Sequence, residues 1–209
     1  MNNSINEELG SFRDPAGNIF YHQNKVFRIL NKEGLERFNF LKKDDLLKKC
    51  IENKFLVKSF EVENKNLEFN FSKEKKIIQH EKIDYISYPY EWSFHRLKDA
   101  ALHHLKLQII LLENDATLID AYSYNIQFNN YSPIFIDLMS IKKYTEGEFW
   151  VGHKQFCESF LNPLVLKSKL GVDYNNWFKG NLEGISTGDL SKLLKFRHLF
   201  SWNIFYNIF

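Results

Sequence analysis

The chain has 209 residues, of which 44% are hydrophobic and 16% aromatic, and its formal net charge is +2. This length and apolar content suffice for one sizeable domain or for one domain in two lobes. The near balance of charge argues against a dedicated nucleic-acid-binding protein. The amino terminus is polar and acidic, the two cysteines lack metal-ligand spacing, and no apolar stretch is long enough for a bilayer. We therefore predict a cytoplasmic protein with two reduced thiols and no membrane partner.

The first elements in chain order are a predicted hairpin of two strands, residues 18–22 and 25–30, after a loose lead-in at 1–12. Turn-forming residues stand before the first strand and between the two. Cationic side chains of this segment are candidate ligands for nucleotide phosphates, and we assign cofactor binding to Arg28. The alternative is an ordinary solvated hairpin, because the glycines here do not form a phosphate-binding pattern. The cations considered are Arg13, Lys25 and Arg28.

Helix formers dominate residues 31–58, and an alternation of polar and apolar residues follows over 59–79. The first pattern predicts one or two amphipathic helices, and the second predicts short strands. A small sheet with helices packed on it is the expected structure.

A strand at 84–87 is predicted to run into an extended link and then into a helix. Pro89 lacks a backbone donor and favours the extended link. The backbone of such a link could bind the edge of an adenine, with Tyr88 and Tyr90, or Trp92, as a wall beside the base. The alternative is that these aromatic side chains belong to the core.

A long helix is predicted over residues 94–113, with Ser93 as its cap, because apolar residues recur every three or four positions. His103 and His104 lie on this helix. A metal site there is rejected, since adjacent helical residues point about 100° apart and no HExxH motif is present.

The segment after this helix contains the residues that we predict to be catalytic and metal-binding. Asp120 is followed five residues later by Asn125, then by apolar alternation at 126–128, a turn, and an apolar run at 134–136 that ends in Asp137. Protein kinases place a catalytic Asp, an Asn and a metal-binding Asp in this order. Phosphoryl transfer needs a carboxylate to take the proton of the attacking hydroxyl, and oxygen ligands for Mg²⁺. Asp120 is then the base, and Asn125 and Asp137 are the metal ligands.

The spacing has an alternative explanation. The chain contains 10 Asp and 21 Asn residues, so one Asp with an Asn five positions later is expected by chance, and one is present. A turn in which Asp120 and Asn125 cap backbone groups explains the pair equally well. The helix before the loop and the predicted hairpin after it favour the phosphoryl-transfer interpretation.

The remainder is predicted to be helical. Helices are expected at 151–160 and 164–170, interrupted at 162–163 by an Asn-Pro pair, and a last helix at 190–199 with Asp189 as its cap. The final eleven residues, LFSWNIFYNIF, are rich in aromatic side chains. Such an apolar terminus is expected to dock on the body or to continue into a missing part.

Several stretches resemble the amino-terminal half of bacterial proteins labelled class I SAM-dependent methyltransferases, some of them nodulation-related. The stretches are ISYPYEWSFHRLKDAALHHL (86–105), DAYSYNIQF (120–128), PIFIDLMS (133–140) and GEFWVGHKQFCESFLNPL (147–164). The resemblance covers nearly the whole chain and implies that a methyltransferase half follows in longer relatives. We expect that half to be absent here, since none of the nine glycines forms a SAM-binding loop after a strand.

The region that is present looks like a diverged aminoglycoside-phosphotransferase or kinase-like domain, and Asp120, Asn125 and Asp137 match the base and metal positions. The sequence departs from that pattern in three ways. Leu118-Ile119 replaces the usual residues before the catalytic Asp, Leu138-Met139 follows Asp137 without a glycine, and no lysine can be assigned to the phosphates.

These observations predict an α+β, two-lobed, protein-kinase-like fold with a small β-rich lobe at 1–88 and a mainly helical lobe at 89–209. The predicted function is binding of Mg²⁺ with ATP or another nucleotide, with phosphoryl transfer to a small hydroxylated acceptor. Alternatives are a non-catalytic kinase-like scaffold whose partner is a methyltransferase domain or protein, and a truncated methyltransferase fragment. No SAM site and no nucleic-acid partner are expected.

Overall fold

A computed structural model describes residues 6–8, 14–63 and 76–195 of the chain. It has nine strands, seven α-helical segments and several short turns of 3₁₀ or π helix within those ranges. The strands are β1 (Asn6–Glu7), β2 (Gly17–His22), β3 (Lys25–Leu30), β4 (Ser59–Val62), β5 (Lys76–His80), β6 (Ala116–Leu118), β7 (Ile126–Asn129), β8 (Ser132–Phe135) and β9 (Ile141–Lys143). The helices are α1 (Lys32–Lys42), α2 (Leu46–Glu52), α3 (Phe94–Leu112), α4 (His153–Phe156), α5 (Asn162–Val165), α6 (Asn175–Gly180) and α7 (Thr187–Leu193).

The chain divides into two units, of which the first comprises residues 1–84 and 135–143 and the second comprises 85–134 and 144–209. The predicted division placed the boundary after residue 88 and assigned all of 135–143 to the second part. The carboxyl end of β8 is tied to the first unit by hydrogen bonds of Phe135, whose N–H donates to Phe55 O at 3.0 Å and whose C=O accepts from Val57 N at 2.9 Å. The segment with Asp137 therefore belongs with residues distant in sequence.

The first unit is built on an antiparallel sheet with strand order β1-β2-β3-β5-β4. The predicted hairpin of β2 and β3 is confirmed, and Gln23 and Asn24 form its turn with positive φ values of 45° and 62°. Positive φ at both central residues matches the right-handed twist of the flanking strands. The lead-in, predicted to be loose, contains the short strand β1, so that prediction is wrong for Asn6–Glu7.

The two faces of this sheet differ in chemistry. One face carries an apolar cluster of Phe20, Phe27 and Ile77, and the first two rings stack with centroids 5.2 Å apart. Because side chains alternate along a strand, Arg28 projects from the opposite face, together with His80 of β5. Both of these polar side chains are buried.

Helices α1 and α2 join β3 to β4 and confirm the prediction of helices at 31–58. Asn31 caps α1 by accepting a hydrogen bond from Gly34 N at 3.0 Å. A Cβ on Gly34 would lie 2.0 Å from Ala16 O, so the approach of this helix to the start of β2 requires glycine. Arg37 of α1 donates a hydrogen bond to Met139 O, which ties the helix to the 135–143 segment.

The second unit contains the long helix α3, and its predicted cap and extent are confirmed: Ser93 Oγ accepts from Arg96 N, and the helix ends at Leu112. The predicted strand pair after the loop is also present as the hairpin of β7 and β8. The turn was predicted at 129–130 and falls one residue later, at 130–131. Asn130 has a φ of 57°.

The helix after residue 152 runs without the predicted interruption at 162–163. Residues 153–170 stay helical because α4 and α5 are each followed by a π-helical stretch, at Cys157–Leu161 and Leu166–Leu170. Pro163 has no backbone N–H to donate, and the wider π turn before it lets the helix continue without that hydrogen bond. The last helix is also displaced, since α7 begins at Thr187 with Ser186 as its cap and ends at Leu193.

The strand predicted at 84–87 is wrong, since the final strand of the sheet is β5 and residues 81–88 have no regular structure. The link contains a 3₁₀ turn, Pro89–Glu91, and Tyr88 before it is extended, as expected for a residue that precedes proline.

The α+β class is confirmed, with an antiparallel sheet in the amino-terminal unit and a mainly helical second unit. Among the described helices, none combines the length and the hydropathy that crossing a membrane requires. Several expectations concern residues outside the described ranges, namely Arg13, Gly10, most of the alternation at 59–79, and the aromatic tail at 199–209.

Candidate functional site

A buried arginine in the first unit joins two carboxylates. Arg28 Nη1 lies 3.0 Å from Asp137 Oδ1, and Arg28 Nη2 lies 3.1 Å from Asp14 Oδ2. The arginine side chain is 6% exposed, whereas the carboxylates are 21% (Asp14) and 26% (Asp137) exposed. The alternative, an ordinary hairpin with solvated side chains, does not hold for Arg28, which is buried. It does hold for Lys25 on the same strand, which is exposed.

Asp137 is held by its local turn as well as by the arginine. It precedes the 3₁₀ turn Leu138–Ser140, and its Oδ1 accepts a hydrogen bond from Met139 N at 3.3 Å. Ser140 Oγ donates to the other carboxylate oxygen, Oδ2. Three of about four acceptor positions of this carboxylate are therefore occupied.

A buried histidine adjoins this ion-pair network. His80 Nδ1 lies 2.8 Å from Ser59 Oγ, which in turn lies 2.9 Å from Val57 O. Burial, together with the charge of Arg28, lowers the pKa of His80 to about 3, and the charge of Asp137 partly opposes this shift. The imidazole is therefore neutral at physiological pH and adds no charge to the network.

Replacing Arg28 by leucine is expected to lower the free energy of unfolding by about 2 kcal/mol or more, because Asp14 and Asp137 lose their counter-ion. This loss of stability is smaller than the loss on breaking a fully buried ion pair, since both carboxylates are partly exposed to water. The matched change Lys25→Leu, at an exposed position of the same strand, is expected to stay within about 0.5 kcal/mol. Urea unfolding of both variants measures the difference, and equal stabilities would show that the network is energetically neutral.

In the second unit, the chain just before Asp120 is held by the side chains of Gln108, in α3, and of Trp150. Gln108 of α3 donates from Nε2 to Thr117 Oγ1 and accepts from Leu118 N at Oε1, both at 2.9 Å. Trp150 Nε1 donates to Leu118 O, also at 2.9 Å. Both backbone groups of Leu118, the last residue of β6 before the loop, are thus bound by side chains.

Asp120 itself is half-buried, whereas Leu118 and Ala121 are fully buried. Its Oδ1 accepts a hydrogen bond from Tyr122 N at 3.0 Å, which is the backbone-capping turn considered as the alternative. Capping and a catalytic role are compatible, because a carboxylate has further acceptor positions.

His104 of α3 lies beneath this loop and is fully buried. The aromatic rings around it are those of Trp150, Phe156 and Phe160, with centroids 5.7–5.9 Å from the imidazole. Burial lowers the pKa of His104 to about 4, although a hydrogen bond with the backbone of Asp120 favours the protonated form. The metal interpretation of the histidines was rejected from sequence, and the environment of His104 is that of a core residue.

The depressed pKa of His104 makes stability depend on pH. The unfolded chain binds a proton near the ordinary pKa of 6.5, but the folded chain does not until about pH 4. The free energy of unfolding is therefore expected to fall as the pH is lowered from 6.5 towards 4. His104→Phe, which suits the aromatic surroundings, is expected to reduce that slope in urea unfolding measured across this range. An unchanged slope would contradict the assignment of a neutral, buried His104.

Asn125 closes a 3₁₀ turn, Ser123–Asn125, at the start of β7. Among the described residues, Ser123 Oγ, Tyr124 Oη and Asn125 Nδ2 are buried and lack a hydrogen-bond partner. Buried polar groups in folded proteins are nearly always paired, so three unpaired atoms in succession are unusual. The amide nitrogen of Asn125 therefore donates to no backbone carbonyl, whereas the Asp120 carboxylate accepts from Tyr122 N.

The rings of Tyr88 and Tyr90 stack, with centroids 5.3 Å apart and an angle of 10° between their planes. Tyr88 is 43% exposed, so the pair offers a flat aromatic surface to solvent. Trp92, considered with them as a wall for a base, is instead buried and donates from Nε1 to Ser87 Oγ at 2.9 Å. For Trp92 the core alternative is correct.

The segment before these tyrosines is fixed to the hairpin of the same unit. The Gln127 side chain pairs with both polar groups of the Ser87 backbone, accepting from N at 3.0 Å and donating to O at 3.1 Å. The second unit thus contains Tyr88 and Tyr90 together with Asp120 and Asn125. Arg28 and Asp137 lie in the first unit, where they form an ion pair.

Sequence reasoning missed the residues that support these side chains. Asp14 had the signature of a turn, and the polar residues of the 153–170 helix lie in an otherwise aromatic stretch. That placement of polar residues among aromatic ones was the available signal, because polar groups in a core need partners. In the described part of the chain, no three His, Cys, Asp or Glu side chains form a metal-binding cluster. The missed residues are Asp14, His104, Gln108, Trp150, Gln155 and Ser159.

The chain is similar to a nodulation protein in sequence and to a kinase structure in part of its fold. The chain is 41% identical over 199 residues to the nodulation protein NoeA of Rhizobium meliloti strain 1021. That alignment covers 95% of this chain and 41% of the relative, so the chain spans about two fifths of its length. A solved structure of vaccinia related kinase 3 aligns with 68% of this chain and 49% of that protein, at 13% identity and a TM-score of 0.45. No protein-family model matches.

Proposed function

We propose that this chain is a kinase-like domain that binds ATP or another nucleotide with Mg²⁺ and transfers a phosphoryl group to a small hydroxylated acceptor. One observation carries the proposal. Asp120 lies between Leu118 and Ala121, two buried residues whose backbone groups are bound by side chains, and Asp120 itself is half-buried rather than sealed. A fixed backbone below a reachable carboxylate is what a catalytic base requires.

In this proposal Asp120 orients the acceptor hydroxyl and takes its proton. Arg28, on the third strand of the sheet, is the proposed cation for the phosphates, the role that a lysine on the third strand has in protein kinases, and its charge is shared with Asp14 and Asp137. The exposed pair of Tyr88 and Tyr90 is a surface on which a planar base can stack.

Asn125 and Asp137 are the proposed Mg²⁺ ligands. Mg²⁺ is usually bound by one or two protein oxygens, with phosphates and water completing six positions, and when bound it neutralises charge that develops on the phosphates. The donor chemistry suits the ion, since an amide and a carboxylate are hard oxygen ligands. One acceptor position of Asp137 is not taken by its three hydrogen-bonded partners, which leaves room for a metal bond.

A second candidate function is a non-catalytic kinase-like module that positions a methyltransferase domain or its substrate. The observation that favours it is the engagement of Asp137 with Arg28, Met139 N and Ser140, a set of contacts that also suits a purely structural residue. What the longer nodulation relative does as a whole belongs to that protein, and an association of this chain with methyl transfer is part of this second proposal only.

Asp120→Asn is expected to lower the rate of phosphoryl transfer by about 100-fold or more, because the amide cannot accept the proton of the attacking hydroxyl. Transfer is measured with labelled ATP and GTP against a panel of hydroxylated acceptors. The control is Asp99→Asn, which makes the same change at an exposed position of α3 and should leave the rate unchanged. Equal rates in the Asp120 variant and the unaltered protein would remove Asp120 from the mechanism.

A nucleotide is expected to raise the melting temperature only when Mg²⁺ is present, and Asp137→Asn should abolish that rise. Ligand at 100 times its Kd stabilises the fold by about 2.7 kcal/mol, a shift of several degrees. The melting temperature of the Asp137 variant without ligand provides its own baseline, since the change also weakens the Arg28 ion pair. Asp99→Asn should keep the full shift. No shift with any nucleotide at millimolar concentration would leave the scaffold proposal in place of the catalytic one.

A further inference from the structure

Both polar groups of the Ala121 backbone are bound by side chains of one helix. Ala121 N–H donates to Gln155 Oε1 at 2.9 Å, and Ala121 C=O accepts from Ser159 Oγ at 3.2 Å. Ala121 and Ser159 are fully buried. Ala121 follows Asp120 directly, so the first of these bonds fixes the peptide group that links the two residues.

The arrangement depends on helical spacing and on a close approach. Gln155 and Ser159 are four residues apart in the 153–170 helix, so their side chains lie on one face of it. Gly152 precedes that helix, and a Cβ there would lie 2.9 Å from Ala121 Cβ and 2.9 Å from Trp150 Nε1. A larger residue at Gly152 would therefore push the loop away from the side chains that bind it.

The loop is held on the other side of Asp120 as well. Trp150 Nε1 donates to Leu118 O at 2.9 Å, two residues before the aspartate. Hydrogen bonds thus fix the backbone both before and after Asp120, while Asp120 itself is only half-buried. A general base must hold its carboxylate at hydrogen-bond distance from the acceptor hydroxyl, within about 0.5 Å of the productive position, and these backbone bonds restrict it in that way.

We infer that Gln155 and Ser159 are positioning residues, which act through Ala121 to set the direction of the Asp120 carboxylate for proton abstraction. This inference rests on the proposed function. The inference goes beyond the proposed function because it makes the rate of transfer depend on two side chains that are not assigned any contact with nucleotide or acceptor.

Two pairs of variants test the inference in the full chain. Ser159→Ala removes the donor to Ala121 C=O, and its matched control is Ser168→Ala, the same change at a hydroxyl near the end of the same helix that donates to Val165 O. Gln155→Met removes the acceptor for Ala121 N–H, whereas Gln155→Glu keeps an acceptor oxygen at the same distance along the side chain.

The expected result is a fall of about 10- to 100-fold in kcat for Ser159→Ala and Gln155→Met, with KM for the nucleotide within about twofold. Gln155→Glu should restore most of kcat, and Ser168→Ala should leave it unchanged. Hydrogen exchange of a peptide covering residues 118–123 should become faster in the two impaired variants, with the rest of the second unit unaffected.

Three outcomes overturn the inference. Unchanged exchange at 118–123 would show that the two bonds do not hold the loop. Faster exchange with unchanged kcat would make Gln155 and Ser159 structural residues only. Absence of turnover in the unaltered protein would overturn the proposed function and with it the catalytic purpose of the two residues, while faster exchange in the variants would still show that they fix the loop.

Discussion

The candidate site depends on one constraint, which is that the buried residues on either side of Asp120 must find partners for their backbone N–H and C=O groups. Around Asp120 the partners are side chains of Gln108, Trp150, Gln155 and Ser159. Each bond satisfies a group whose burial would otherwise cost about 1–3 kcal/mol, and each also removes a freedom of the loop. Stability of the second unit and the geometry of its aspartate therefore have the same origin.

In the first unit the group that needs partners is a buried charge, that of Arg28. The guanidinium of Arg28 lies on the polar face of the sheet and is compensated by Asp14 and Asp137, both of which retain some contact with water. An arginine with two carboxylates leaves one negative charge in excess, and such an excess favours an added cation. The same geometry makes Asp137 a structural residue, so the proposed metal role and the scaffold alternative share their physical basis.

Burial also determines which titratable groups carry charge. His80 and His104 are neutral because desolvation lowers the pKa of each far below its ordinary value. Cys50 is buried too, and its thiol has a pKa raised to about 11, which removes it as a nucleophile at physiological pH. Neither histidine nor this thiol therefore supplies charge to the proposed chemistry, which is assigned to the carboxylates and to Arg28.

The sequence by itself determined the local elements: the hairpin of β2 and β3 from its turn residues, α3 from its apolar spacing and Ser93 cap, and the hairpin that separates Asn125 from Asp137. These depend on interactions a few residues long, which periodicity and turn chemistry report directly. The tertiary structure alone decided that Arg28 is buried against Asp137, that Trp92 is core, that Pro163 lies within a helix, and that Gln155 and Ser159 bind the peptide after Asp120. Those outcomes come from partners up to 109 residues apart. Which side chain satisfies a buried charge or a buried peptide group depends on what folding brings beside it, and no local pattern encodes that.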